Sequence, residues 1–421
     1  MTSDATVGYG ELVRGNRNFR LLWLGTTISL FGDWFNTITL YALVTDLTGS
    51  PLAVGLVEFL KLGGFAAANI PAGIVADRFD RRRIMILADL MRAVLVLGFL
   101  FIHDDDALPL LYALIVGQVA LGAVFEPANR ALLPGLVSGR ELLTANALLA
   151  ATWSSILAIG AAIGGLVTAA IGSDAVFVID SLTYLASAGC LLAMRVPSPP
   201  ARPARGRIRP TVIVMSAWAD LREGFRYLAG HPLVMRLALA KTAWALGGAA
   251  LVYLLTQLGP QLTPGDSALG IGILYSVRGL GTGVGPILAR RHLSRGRWAL
   301  AIGSLIALSG VLYATVGLLG ATFLVLVPIV LAHGASGANW VLSTVMLQEL
   351  VPDHVRGRVF AAELMVLMAV EAGFVLVAAA LLEGHLLDVG AAFMVFAALQ
   401  IATGLAYTRW LAGAVRAVSD G

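Results

Sequence analysis

Long apolar runs recur along this chain, separated by short polar connections. A membrane-crossing helix needs about 20 predominantly apolar residues. Runs of that kind fall at residues 19–46, 51–76, 84–103, 108–134, 141–170 and 173–195. A second series falls at 233–258, 267–290, 297–318, 320–348, 358–384 and 388–412. The pattern predicts an all-α membrane protein of about twelve transmembrane helices in two pseudo-symmetric six-helix halves. The halves occupy residues 1–195 and 233–421, and a cytoplasmic linker spans 196–232.

The connections give the orientation. Basic residues cluster at Arg14/Arg17/Arg20, Arg78/Arg81/Arg82/Arg83, Arg130/Arg140, Arg202–Arg209, Arg290/Arg291/Arg295/Arg297 and Arg356/Arg358, which are alternate connections. The other set carries Asp46, Asp104-Asp105-Asp106, Asp174, Asp266 and Glu383/Asp388. Arginine-rich connections stay in the cytoplasm, so both termini are expected there. The linker opens with Pro197-Ser198-Pro199-Pro200 and should be extended at first. Beyond it, Trp218, Leu221, Phe225 and Leu228 share one helical face, with Asp220, Arg222, Glu223 and Arg226 largely opposite. That pattern fits a helix lying on the inner membrane surface, or one packed beneath the bundle.

Composition sharpens this picture. The 421 residues are 58% hydrophobic and 13% charged, against about 25% charged in soluble domains. A soluble domain with a single anchor is excluded. The net charge of +4 does not point to nucleic acid, because the arginines flank the spans, where orientation and anionic lipid headgroups account for them. Cys190 is the only cysteine, so no intrachain disulfide or cysteine metal site is expected. The segment up to about Arg20 is polar and lacks a signal-peptide pattern, so the first span should serve as the insertion signal. A monomer in the cell inner (plasma) membrane is the expectation.

The connection between the second and third spans reads Gly73-Ile74-Val75-Ala76-Asp77-Arg78-Phe79-Asp80-Arg81-Arg82-Arg83. So short a loop forces an antiparallel hairpin. Its spacing resembles the loop signature of the major facilitator superfamily, with Asp80 in the place of the signature's second glycine. The stretch Arg130-Ala131-Leu132-Leu133-Pro134-Gly135-Leu136-Val137, continuing to Ala145-Asn146, is similar to one exporter-rich branch of that family. So is the text from Asp220 to Leu233. The branch includes siderophore and macrolide exporters. Gly160-Ala161-Ala162-Ile163-Gly164-Gly165 resembles the glycine-rich signature of proton-coupled exporters without its proline, although small residues at this spacing also let helices pack closely. The arginine that many antiporters carry in the middle of the fourth span is absent; Gly117-Gln118 stands there.

Charges inside the spans are the candidate functional residues, because each is costly at bilayer depth without a partner or a water-filled cavity. Asp33 is near the middle of the first span and is the main proton-coupling candidate, with Lys61 its alternative static partner. Glu371, Glu58 and Asp180 are further coupling candidates, and Lys61, Lys241 and Arg278 are candidate cavity charges. Glu58 and Lys61 are three apart and can pair on their own helix. Arg278 has no charged neighbour on its span, and Glu371 is its expected partner. Gly73, Asp77, Arg78, Arg81, Arg82, Asp89, Arg92, Glu126 and Arg130 form the expected gating loop and inner charge layer. Trp34, Asn36, Gln118 and Trp340 are substrate-contact candidates.

No catalytic set appears, and no nucleotide-binding glycine loop is followed by lysine, so neither an enzyme nor ATP-driven transport is expected. The histidines lack metal-ligand spacing, no cofactor is implied, and His333 reads as a satisfied interior histidine. The resemblance implies alternating-access transport, with protons and a small amphipathic molecule such as a drug, siderophore or secondary metabolite as partners. An importer or lipid translocator on the same fold and a non-transporting membrane sensor are the rival readings.

Overall fold

The computed structural model describes residues 7–195, 210–293 and 298–419. The linker stretch 196–209, with its prolines and arginines, and Arg295 and Arg297 fall outside those residues, as do the side chains of Gly73, Asp77 and Arg78.

Among the described residues every apolar run is helical and no strand occurs. A short helix α1 (Tyr9–Gly15) precedes α2 (Arg17–Thr48), α3 (Pro51–Arg78), α4 (Arg81–Leu97), α5 (Leu108–Leu132) and α6 (Gly139–Ala193). Helix α7 (Pro210–Gly230) follows, then α8 (Pro232–Ala238), α9 (Ala240–Leu262), α10 (Ser267–His292), α11 (Trp298–Leu319), α12 (Leu326–Leu350), α13 (Asp353–Glu383) and α14 (Val389–Ser419). Among the described residues, ten segments are long and apolar enough to cross a membrane. Helix α6 is counted once among them, yet Gly172 breaks it with φ 83° and ψ 167°. Only glycine takes that backbone conformation readily, and the break lies between the expected spans 141–170 and 173–195. Helix α2 is not among the ten; Asp33, Asn36, Thr37 and Thr39 interrupt its apolar text.

The chain forms two compact units: Met1–Thr39 with Ala67–Ala217, and Leu40–Ala66 with Trp218–Gly421. In the first, α4 packs on α5 and α6. A core of Leu12, Phe19, Leu22, Met85, Phe125, Leu132 and Leu191 ties α1, α2, α4, α5 and α6 together. In the second, α11 packs on α14, α10 on α12, and α9 on α13 and α14. Hydrogen bonds fix residues 40–66 within this second unit. Ser267 Oγ donates to Asp46 at 2.6 Å, and Tyr253 Oη to the Pro51 carbonyl at 2.6 Å. Glu383 accepts from Ser50 Oγ at 2.7 Å and from the Leu52 amide at 3.0 Å. Its carboxylate thus satisfies an orphan donor at the start of α3.

Helix α7 packs on α13 rather than standing alone. Leu221 and Leu228 are buried, while Trp218 is 61% exposed and Phe225 is also exposed. Arg358 holds Asp220 at 3.0 Å and Glu223 at 2.6 Å. The apolar face read from the sequence is therefore divided, with part packed and part open.

Candidate functional site

Two clusters of charged and aromatic groups lie inside the helical units. The first gathers around Asp33, which is 16 residues from the start of α2, about 24 Å at 1.5 Å per residue. Gly32 lets α2 approach α6 here; a side chain at that position would strike Thr183 and Asp180. Tyr184 Oη donates to Asp33. Gln118 Nε2 donates to Tyr184 Oη at 3.1 Å, and Asn36 Nδ2 to Gln118 Oε1 at 3.3 Å. The network thus links α2, α5 and α6. Arg92 of α4 bonds Asp89, lies 4.0 Å from Asp33, and stacks on the rings of Tyr184 and Phe125.

Burial differs sharply within this cluster. The side chains of Asp89 and Arg92 are almost wholly enclosed, and Asp180 is fully buried. Asp33 is 37% exposed. One oxygen of Asp89 and one of Asp180 have no hydrogen-bond partner among the described residues. Asp89 and Asp33 therefore face one guanidinium, and Asp180 has it as an electrostatic neighbour.

Asp89 and Arg92 were expected in a charge layer near the helix end; they lie instead with Asp33. The reason is the start of α4. Asp80 caps it, accepting from the Arg83 amide at 2.8 Å. The helix therefore begins at Arg81, and Arg92 falls about 16 Å along it. The charged neighbour of Asp33 in this unit is correspondingly Arg92, where the sequence offered Lys61 as an alternative static partner.

The second cluster surrounds Arg278 of α10. Its guanidinium lies 5.2 Å from the Tyr275 ring, and its Nε has no hydrogen-bond partner among the described residues. Tyr275 packs against Tyr41. Tyr41 donates to Glu58, and the Lys61 ammonium lies 5.4 Å from the Tyr41 ring. Tyr313 and His333 are hydrogen-bonded, so His333 is a satisfied interior histidine. Glu371 of α13 is buried, with Glu58 and Arg278 as its electrostatic neighbours. The expected direct pair between Arg278 and Glu371 is not formed: among the described residues no carboxylate lies within 4.0 Å of Arg278.

Lys241 has a partner that the sequence did not reveal. It bonds Glu363 at 2.8 Å, both side chains are buried, and the Trp340 ring centroid lies 4.7 Å from the ammonium. Of the other substrate-contact candidates, Asn36 and Gln118 belong to the Asp33 network, and Trp34 packs over Gly160 of α6. Gly164 likewise meets the backbone of Phe35, so the glycine-rich stretch serves close packing of α6 on α2.

The loop arginines act as helix caps. Arg81 donates to the Ala131 carbonyl near the end of α5 at 2.7 Å. Arg82 donates to Leu191 and Leu192, both at 2.7 Å, near the end of α6. Unsatisfied carbonyls and the helix dipole both favour cations there. Glu126 and Arg130 form an exposed pair at 2.7 Å. Asp80 was absent from the sequence-derived candidates, although an aspartate just before a helix start is a recognisable cap signal.

Comparison with known proteins places this architecture. The Major Facilitator Superfamily model matches residues 22–370. BacE of Bacillus subtilis, named as a bacilysin exporter, is 24% identical over 370 residues, covering 86% of this chain and 88% of its own. The enterobactin exporter EntS of Shigella boydii is 25% identical over 361 residues, covering 83% and 81%. Among solved structures, a POT family transporter in complex with a thioalcohol-conjugated peptide superposes with a TM-score of 0.73 at 11% identity, covering 92% and 95%. An inward-facing, occupied bacterial homologue of the lysosomal transporter Spinster gives 0.68 at 16% identity, covering 94% and 96%.

Proposed function

The chain belongs to the Major Facilitator Superfamily, and from that premise we propose that it is a proton-coupled secondary exporter of an amphipathic small molecule. It works by alternating access, with twelve transmembrane helices, both termini in the cytoplasm, and residues 1–195 and 233–421 as the two moving halves. It resides in the inner membrane as a monomer. Two exporters among its relatives support the outward direction.

One observation carries the proton coupling. Among the described residues, Asp33 and Asp89 both face Arg92, and Asp180 has it as an electrostatic neighbour. Uncompensated charge in a low-dielectric interior is costly, so a proton gained or lost in this cluster changes its charge balance. Asp33 is the member open enough to exchange one. Loss of that proton strengthens the attraction of Arg92, and Arg92 shares Asp89 and Tyr184 with the packed core of α4 and α6. Proton exchange at Asp33 thereby biases how α2 is held against its neighbours. Glu58, Lys61, Arg278 and Glu371 provide the charges that meet substrate, and Asp77 and Arg78 the gating loop.

Proteoliposomes test this reading. Purified protein is reconstituted with an imposed pH gradient and offered a panel of drugs and siderophores. At least one compound should accumulate against its gradient, and collapse of the pH gradient should abolish that accumulation. An importer would show the opposite dependence on gradient direction. Absence of both accumulation and counterflow would leave a non-transporting protein.

A further inference from the structure

We propose that the open face of α7 is a docking surface for anionic phospholipid headgroups, Arg222 and Arg226 taking the phosphates and Trp218 and Phe225 entering the boundary between headgroups and acyl chains. The inference is independent of which solute is carried and of what drives it. Only its assignment to the cytoplasmic leaflet rests on the orientation proposed above.

The observation is how α7 sorts its side chains. Successive helical residues turn by about 100°, which divides the helix into lengthwise strips. Asp220 and Glu223 lie on one strip, and Arg358 of α13 holds both, at 3.0 and 2.6 Å. Leu221, Gly224 and Leu228 form the next strip and are buried. A side chain at Gly224 would strike the Arg358 carbonyl and Ala362, so α7 sits directly on α13 here. Trp218 and Phe225 border the buried strip yet stay open, at 61% and 37% exposed. Arg222 and Arg226 follow, both exposed, and neither makes a hydrogen bond or ion pair among the described residues. The grip of Arg358 and the close approach at Gly224 fix the roll of the helix. Its acidic groups therefore face α13, while an open arc of about 100° from Phe225 to Arg226 carries aromatic rings beside positive charges that have no counter-charge in the chain.

The position of α7 selects the occupant. His231 alone separates Gly230 from Pro232, where the apolar segment Pro232–Leu262 begins. At its other contact, Arg358 and Ala362 stand about 8 and 14 Å from the start of α13 at 1.5 Å per residue, and α13 is itself long and apolar enough to span. Both attachments hold α7 at the level where spanning helices leave the bilayer. Aromatic rings settle there among headgroups and upper acyl chains. An arginine lays its stem along apolar surface and turns its fork to phosphate. A zwitterionic lipid surface accommodates the rings but supplies no net counter-charge for the guanidinium groups; an anionic one satisfies all four side chains. Each arginine beside an acidic leaflet is worth roughly fivefold in preference, so the pair is worth about 25-fold.

The test is hydrogen exchange of residues 218–230 in the purified full chain, reconstituted one chain per nanodisc in phosphatidylcholine alone or in an equal mixture with phosphatidylglycerol. Exchange should be at least about tenfold slower in the acidic discs, and high salt should remove the difference, because exposed charges are screened. Arg222→Gln combined with Arg226→Gln should abolish the dependence on phosphatidylglycerol and leave exchange in phosphatidylcholine unchanged. The fluorescence of Trp218, taken as the difference between the wild-type chain and Trp218→Phe, should be quenched by brominated acyl chains in the acidic discs. If the double variant fails to fold, the lipid, salt and quenching comparisons without it still decide. The proposal is overturned if exchange is the same in both lipids, if the folded double variant keeps the difference, or if Trp218 is not quenched. Protection that appears only in discs holding two chains, or only on adding a soluble protein fraction, would assign the face to a second copy or a protein partner and overturn the lipid reading. Both leaflets of a disc carry the same lipid, so failure here leaves the orientation and the exporter reading standing. Lipid-dependent protection in a chain that transports nothing would do the reverse.

Discussion

Glu363→Gln should be among the most destabilising single substitutions in the second unit. The side chains of Glu363 and Lys241 are 3% and 6% exposed and meet at 2.8 Å. Neutralising the carboxylate leaves the ammonium enclosed, with the Trp340 ring at 4.7 Å as its remaining electrostatic partner among the described residues. Breaking a buried pair from one side costs about 3–5 kcal/mol. The ring returns about 0.5–2 kcal/mol of that at most, since cation–π attraction is weaker than a direct charge pair. Lys241→Met should cost a comparable amount, because it strands the carboxylate and loses the ring contact as well. The double variant Lys241→Met with Glu363→Leu removes both charges at once. Replacing a buried pair with apolar groups of similar volume is often neutral, or stabilising by about 1–4 kcal/mol, so the double should lie well above either single. The assay is reversible unfolding of the purified protein by SDS in mixed micelles, with thermal inactivation in parallel. Additive single effects, or a Glu363→Gln protein within about 0.5 kcal/mol of wild type, the range of a neutral surface change, would refute the reasoning.

Three further outcomes follow from particular contacts. Arg82→Ala strips donors from two carbonyls near the end of α6; with about 1.5–3 kcal/mol for a hydrogen bond to a charged group, hydrogen exchange should rise around residues 189–195, and unchanged exchange would leave Arg82 as a topological charge only. Glu383→Gln keeps the size of the acceptor for Ser50 and Leu52 but removes its charge, and should cost about 0.3–1 kcal/mol at the start of α3; proteolysis or exchange near residues 48–54 reads it, and Glu383→Ala should exceed it. Gly32→Leu drives a side chain into Thr183 and Asp180 and should cost about 1–3 kcal/mol or more by overpacking, detected as lower melting temperature and yield; a stable, active Gly32→Leu protein would mean that α2 and α6 do not approach as described.

Much of the helical plan is legible in the sequence because apolar length and loop charge are local properties. The run boundaries at 51, 108 and 267 coincide with the starts of α3, α5 and α10, and the polar text around Gly172 marks the break in α6. Which charges are present at depth is equally legible, since Asp33, Glu58, Arg278 and Glu371 interrupt apolar text. Their partners are not. Lys241 and Glu363 are 122 positions apart, and nothing local connects them. Arg92 was misread because the third span was started at Ile84, after the arginines; the cap by Asp80 starts the helix earlier and carries Arg92 inward. Arg278 and Glu371 were paired from depth and sign, but depth does not say whether two charges touch. The loop arginines illustrate the same limit: a positive charge orients a hairpin wherever it points, while Arg82 reaches two specific carbonyls only because α6 ends beside it.

The central claim is that Asp33 exchanges the proton that drives transport. The most direct measurement is substrate-dependent proton flux into proteoliposomes carrying a trapped pH-sensitive dye, compared between the wild-type chain and Asp33→Asn. The substrate is whichever panel compound the wild-type chain accumulates. The account predicts that Asp33→Asn folds and reconstitutes normally, still exchanges labelled for unlabelled substrate, and moves no protons with it. Wild-type proton flux in folded Asp33→Asn would contradict the account and move the coupling site elsewhere in the molecule.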